Sequence, residues 1–276
     1  MLTGLAAVLV LFTALWLVSL LVRNSSIVDM WWGPGILLIG LTYAVTSSSE
    51  GDRDSVVLVL LALWAVRLAW FIGARNIGHG EDFRYAKWRR ERGASWWWFS
   101  YFKVFVLQAV IAWIISMPLY FAITSATPMQ WTTWDAAGAT LFTIGFLFEA
   151  IGDEQLRRFK ADAANKNRVL DTGLWSYTRH PNYFGEALLW WGFGVMGLAT
   201  GALPGLLGPA VLTYLLLYVS GVALLESTLI EKPGYIQYVG RTPAFLPLPA
   251  KVQAQLMTKL RGLQQKPAAP PKRRYY

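Results

Sequence analysis

Apolar blocks of about twenty residues recur from one end of the chain to the other, and this constrains the fold more than any other feature. A helix rising 1.5 Å per residue crosses a ~30 Å hydrocarbon core in a block of that length. In hydrocarbon every backbone N–H and C=O must be satisfied inside the protein, so a chain of such blocks is expected to be all-α. We read spans over 2–22, 27–47, 55–77, 102–124, 134–152, 184–200 and 204–230. These make about seven transmembrane helices in a single polytopic domain covering 1–250. The second block is interrupted by Trp31-Trp32-Gly33-Pro34-Gly35, a break tolerated where neighbours or water satisfy the freed backbone. The first block lacks a basic n-region and ends at Arg23 rather than at a small-residue cleavage site, so it reads as a span and not as a signal peptide.

Charge sets the expected orientation, because basic residues are retained in the cytoplasm. One series of loops holds Arg23, then the run from Arg75 to Lys103, then the run from Arg157 to Arg179, then the tail beyond Lys232. The opposite loops hold only Arg53. With seven spans the N-terminus lies outside and the C-terminus in the cytoplasm. The net charge of +9 is accounted for by this topology and by attraction to anionic lipid of the bilayer, so no nucleic-acid partner is needed. The tail, 251–276, is expected to be basic and cytoplasmic. Val252, Leu256, Leu260 and Leu263 fall near helical spacing and suit a short interfacial helix; the Pro- and Lys/Arg-rich stretch after Gln265 suits disorder.

The chain has no Cys, which excludes disulfides, thiolate nucleophiles and Cys-ligated zinc. Its two His, His79 and His180, are too few for a multi-histidine metal centre, and no metal is expected. Neither a G-x-G-x-x-G after a strand nor a Walker A sequence occurs, so any nucleotide must be held by the membrane helices and their loops.

Charges inside apolar spans are costly and therefore informative. Arg67 falls mid-span and is expected to pair with a carboxylate of a neighbouring helix, Asp29 first. Asp29, Glu149, Asp153, Glu186 and Glu226 fall near the cytoplasmic ends of four other spans and are expected to line an inward-opening polar cavity. Packing roles and headgroup contacts would also explain them. The loop before the sixth span concentrates basic, amide and aromatic residues: Phe159-Lys160, then Asn165-Lys166-Asn167-Arg168, then Gly173-Leu174-Trp175-Ser176-Tyr177-Thr178-Arg179-His180-Pro181-Asn182-Tyr183-Phe184-Gly185-Glu186. Cations and amides bind phosphate and sugar oxygens, and aromatic rings offer faces to a heterocycle. Asn182 and Glu186, four apart on the helix that begins there, suit a primary amide such as that of nicotinamide. An ordinary basic loop with an aromatic belt would have the same composition.

The Gly173–Glu186 motif resembles the C-terminal cofactor motif of the steroid 5α-reductase-like membrane reductases, in particular their bacterial branch. More distantly it resembles sterol reductases and isoprenylcysteine carboxyl methyltransferases. Ser26-Ile27-Val28-Asp29, Trp64-Ala65-Val66-Arg67-Leu68, Gly80-Glu81-Asp82-Phe83-Arg84-Tyr85 and Tyr235 to Pro247 fit the same branch, so the likeness covers nearly the whole chain. The resemblance implies NADPH-dependent reduction of a carbon–carbon double bond conjugated to a ketone, with a steroid or sterol-like lipid as substrate, in a bacterial inner membrane. It places Glu149 and Asp153 at the nicotinamide or its ribose, Lys160 and Arg168 at phosphates, and Asn182 and Glu186 at the carboxamide. Asn167, Tyr177, Arg179, His180 and Tyr183 share that site, and Arg241 adds a cation for the 2′-phosphate. The animal enzymes carry Asn at the position of Glu149 and Gly-Tyr-Arg at Lys166-Asn167-Arg168. Their catalytic acid pair, a Glu and a Tyr, matches Asp29 and either Trp64 or Tyr85, with Arg67 nearby in the motif. An enone accepts hydride at its β-carbon, and charge developing on the ketone oxygen then needs a donor, a carboxyl or a phenol. A methyltransferase using S-adenosylmethionine shares the C-terminal motif but not the Asp29 and Arg67 context. A transporter or a non-catalytic lipid-binding protein is the third class, and the lack of an inverted repeat weighs against transport.

Overall fold

The computed structural model describes residues 1–47, 51–249 and 252–253, and among them all regular structure is helical, as expected. Five helical runs are long and apolar enough to cross a membrane: Leu2–Leu21, Asp52–Asn76, Phe83–Ile115, Thr133–Ala161 and Leu203–Leu229. A shorter apolar helix covers Trp32–Thr46, and the block expected at 184–200 forms the helix Pro181–Leu198. The interfacial helix expected from Val252 to Leu263 lies almost wholly outside the described residues.

The chain divides into two compact units, Met1–Phe146 with Ala187–Tyr214, and Leu147–Glu186 with the residues from Leu215 onward. In the first unit, α1 (Leu2–Leu21) buries Gly4, Val8, Phe12, Leu15 and Ser19 at helical spacing, while Leu2, Val10, Leu17 and Leu21 stay exposed. An apolar residue left outward on an apolar helix is what lipid contact requires. Next come α2 (Ile27–Met30), α3 (Trp32–Thr46) and α4 (Asp52–Asn76). The span read as 27–47 is thus two helices parted at Trp31. Pro34 sits in the first turn of α3, where its missing N–H leaves no gap in the ladder. Gly33 lets α3 reach α4, since a Cβ there would lie 2.9 Å from the Ala65 carbonyl oxygen.

The span read as 102–124 begins earlier and is broken. It comprises α5 (Phe83–Arg92), a 3-10 turn at Gly93–Ser95, α6 (Trp96–Ser100), a π-helical turn at Tyr101–Val106, α7 (Leu107–Ile115) and α8 (Met117–Thr124). The seam between α7 and α8 is Ser116, followed by Pro118 in the first turn of α8. Then come α9 (Thr133–Ala161), α10 (Pro181–Leu198) and α11 (Leu207–Tyr218), shared by the two units. Within the first unit, α9 and α10 cross at Gly138 and Gly192, where a Cβ on either would lie 2.6 Å from the other's carbonyl oxygen. Arg53 near the start of α4 and Asp135 near the start of α9 form a buried two-pronged pair at 2.6 and 3.0 Å, which Thr132 completes through its N–H and hydroxyl. Trp64, Trp190, Phe193 and Phe142 form an aromatic core of T-shaped and tilted ring pairs.

The second unit holds the rest of α9, the basic loop, the first turn of α10, α12 (Val222–Leu229), α13 (Tyr235–Val239) and a strap reaching Pro249. The strap lies along the loop. Arg179 N donates to Pro243 O, Leu248 N to Tyr177 O, and the Thr178 hydroxyl lies against the Ala244 and Phe245 carbonyls. The Tyr238 hydroxyl donates to Trp175 O, and the Trp175 indole donates to Gly152 O at 3.1 Å. Burial raises the Tyr238 hydroxyl above its ordinary pKa and, with the Glu226 charge, pushes Tyr235 up to about 12, so both phenols keep their protons at neutral pH.

Candidate functional site

In the second unit, Glu149, Asp153 and Lys160 occupy one face of α9, at i, i+4 and i+11. Glu149 and Asp153 are buried and Lys160 is exposed. Ending the span at 152 hid this relation, because α9 runs straight through to Ala161. Asn182 stands in the first turn of α10, just after Pro181 at its first position. Its Nδ2 donates to Asp153 Oδ1 at 3.0 Å, while its Oδ1 is buried without a hydrogen-bond partner among the described residues. Gly152 permits this approach, since a Cβ there would meet Asn182 N at 3.2 Å. Glu186 shares the Asn182 face of α10, as the spacing predicts.

Arg179 and His180 both meet Glu226. Arg179 Nε and Nη2 clasp the Glu226 carboxylate at 2.7 and 2.9 Å, and Nη1 donates to Thr242 O. His180 Nε2 lies 3.1 Å from the same carboxylate, and its ring stacks on Tyr183 with centroids 5.7 Å apart. Both are buried. The guanidinium thereby ties loop, α12 and strap together. Arg241 is likewise engaged by Asp171. Lys166, Asn167 and Arg168 are exposed on the loop, with Asn167 in the left-handed region at φ 68° and Arg168 O accepting from Lys232 Nζ. Tyr177 is half-exposed. Lys160 at the end of α9 and Lys166 and Arg168 on the loop are exposed.

In the first unit, the Asp29 carboxylate receives the Tyr85 hydroxyl at 2.7 Å and Arg84 Nη2 at 3.2 Å. Gln108 Nε2 donates to the Tyr85 oxygen at 3.2 Å. The expected Arg67–Asp29 pair does not form: Arg84 supplies the charge at Asp29, and the Arg67 guanidinium lies 5.3 Å from the Phe71 ring centroid. The reason is positional, because Arg67 lies on α4 well before its end while Arg84 leads α5, whose start folds back on the turn before α2. Of the two candidates for the phenol's position, Tyr85 meets Asp29. Trp64 packs at right angles to Trp190, with its indole N–H unpartnered among the described residues.

The family profile described as a protein of unknown function, DUF1295, matches residues 15–242. The chain belongs to the DUF1295 family. A Schizosaccharomyces pombe protein described as uncharacterized protein C594.04c is similar, 28% identical over 224 residues, which are 70% of this chain and 63% of that relative. This chain therefore spans less than two thirds of the length of that relative. No solved structure matches it.

Two site residues of this DUF1295 protein escaped the sequence reading. Gln108 was one amide in an apolar run, Val106-Leu107-Gln108-Ala109, a signal of the same kind as Arg67. Glu81 accepts from Ser25 N at 2.7 Å and from Arg89 at 2.9 and 2.7 Å, and nothing in its spacing from Ser25 announces that contact.

Proposed function

We propose that this protein reduces a carbon–carbon double bond conjugated to a ketone in a lipidic substrate, with NADPH as the reductant. The observation that carries the reading is the buried Asn182 carboxamide. Its N–H is held by Asp153, and its acceptor oxygen is left unmatched. A buried unmatched acceptor costs about 1–3 kcal/mol, and a primary amide such as nicotinamide's supplies the missing N–H. Lys160, Lys166 and Arg168 suit the phosphates. The likeness of Gly173–Glu186 to the cofactor motif of steroid 5α-reductase-like enzymes supports the same assignment.

When bound, the dihydronicotinamide supplies a hydride to the β-carbon of the enone. Proton chemistry falls to Tyr85. Its oxygen accepts from Gln108, and its proton is directed at Asp29 by a hydrogen bond that Arg84 keeps anchored. A phenol so oriented can turn its proton to a ketone oxygen as charge develops there; the enol so formed takes a proton at its α-carbon from water and returns its hydroxyl proton to the Tyr85 oxygen as the ketone re-forms, with Asp29 holding the phenol in place. A 3-oxo-Δ4 steroid reduced to the 5α-ketone is the substrate class we assign. The membrane is the bacterial inner membrane, crossed seven times, with the N-terminus outside.

Purified protein in lipid nanodiscs, given 4-deuterated NADPH and a 3-oxo-Δ4 steroid, should yield product with one deuterium at the β-carbon by mass spectrometry. Bound NADPH with no reduction of any enone would overturn the reaction. Tight binding of S-adenosylmethionine in its place would favour methyl transfer.

A further inference from the structure

The helix α5 carries Tyr85, yet it is held to the first unit in an unusual way. Tyr85 is its only buried residue. Its ties to the turn before α2 are polar, and Arg89 and Arg92 lie over the Trp96 and Phe99 rings of α6, on the far side of Gly93. Arg84 reaches Asp29, and Arg89 reaches Glu81 and Ser25. Just before the helix, Asp82 N donates to the Ser26 hydroxyl and Asn24 Nδ2 donates to Gly80 O. Glu81 stands at the centre of this set. One of its oxygens takes both Ser25 N and Arg89 Nη2 at 2.7 Å, the other takes Arg89 Nε at 2.9 Å, and the side chain is 11% exposed. It joins the turn after α1 to the middle of α5.

Glycines in the left-handed region bracket the helix: Gly78 at φ 85° and Gly80 at φ 78° before it, Gly93 at φ 51° after it. No atom lies within 4 Å of where a Cβ would stand on any of the three. Packing therefore does not demand glycine there. The backbone conformation does, and glycine pays least in steric terms to change it. Apolar burial resists opening over its whole area, whereas hydrogen bonds and half-exposed ion pairs exchange readily with water. A polar helix with one buried side chain and glycines at both ends is built to swing as a body.

We propose that α5 is a lid hinged at Gly78/Gly80 and Gly93, and that Glu81 is the positioning residue that latches it shut and so sets the Tyr85 hydroxyl on Asp29. The lid stands on these contacts alone; that its closure completes a reaction centre rests on the enone-reductase reading above. In the open position the phenol leaves Asp29 and Gln108, so exposure of the Asp29 carboxylate and assembly of the proton donor alternate.

The test uses the full chain in nanodiscs. Having no native cysteine, it accepts Ala74→Cys and Lys87→Cys as the only labelling sites, both exposed, on α4 and α5. Electron–electron distance measurement between nitroxides should give one dominant distance with Glu81 present. Glu81→Gln should enlarge a second, displaced population. Asn24→Ala, which loosens the same latch from the other side, should do likewise and serves if Glu81→Gln does not fold. Identical distance distributions in both variants and the unsubstituted pair would overturn the lid. In turnover, Glu81→Gln should lower kcat roughly tenfold while the Kd for NADPH stays within about twofold, as for a misplaced reacting group. An unchanged kcat with a displaced α5 would overturn Glu81 as a positioning residue. Absence of turnover in the unsubstituted protein would overturn the reductase reading, and the distances would still decide the lid.

Discussion

At the scale of single residues, the Tyr85 hydroxyl has one proton, given to Asp29, and accepts from Gln108 on the other side. Tyr85→Phe removes that proton and little volume. It should reduce enone turnover by about 10²-fold or more, the range of a lost general acid, with NADPH affinity nearly unchanged and a stability loss of about 1–3 kcal/mol from the partners left unmatched. Equal turnover in the variant would assign the proton to another group. Asn182→Ala should weaken NADPH binding about tenfold, measured by fluorescence titration, because a matched buried amide is lost. An unaltered affinity would remove the amide from the cofactor site. Which of these residues could be read in the sequence depended on their separation. Asn182 and Glu186 were legible because a helix fixes their spacing. Asp29 and Tyr85, 56 residues apart, were legible only as candidates, since no local rule states which tyrosine returns to which acid. Arg67 drew attention as a mid-span charge, but Arg84, hidden in an ordinary basic stretch, is the one at Asp29.

At the scale of elements, α5 was read as loop because its surface is so polar. Its start is nonetheless well marked: Asp82 caps it by accepting from Arg84 N at 2.9 Å. Burial pushes the Asp82 carboxyl up, but the hydrogen bonds and charge of Arg84 more than offset this and hold it below its ordinary value. A depressed carboxylate stabilises the folded helix at pH values above its unfolded pKa of roughly 4, and the contribution is lost as pH falls through the lower folded value. The unfolding temperature should therefore fall on acidification below about pH 4, less so in Asp82→Asn, and be flat between about pH 6 and 8. An equal fall in Asp82→Asn would assign the loss to some other group. The breaks at Trp31 and Ser116 and the π turn at Tyr101–Val106 belong to this scale too. Pro34 and Pro118 marked the neighbourhood of two of them, yet each sits just inside the following helix, so proline signals the restart and not the gap. Nothing in Tyr101–Val106 distinguishes an extra residue per turn from an ordinary one, because the choice is made by what the flanking helices pack against.

At the scale of the whole chain, the apolar blocks were legible because length and hydropathy need no partner to be read, and each expected block falls on helix. The basic residues set the expected side of each loop. A reporter fused after Ile230 should be protected as a cytoplasmic marker is, and one placed at 125–133 should face the opposite compartment. Both on one side would refute the seven-span orientation. The strap over the basic loop has a consequence for how the protein comes into being. Contacts that hold Trp175, Thr178 and Arg179 in place come from residues 63 to 66 positions further along the chain, and Gln253 reaches Ser176 across 77. A ribosome delivers those partners only after the loop has emerged and waited. The folded form of this loop therefore matures last, and a nascent chain stalled before Thr242 would already display the helices of the first unit while its basic loop stayed unformed.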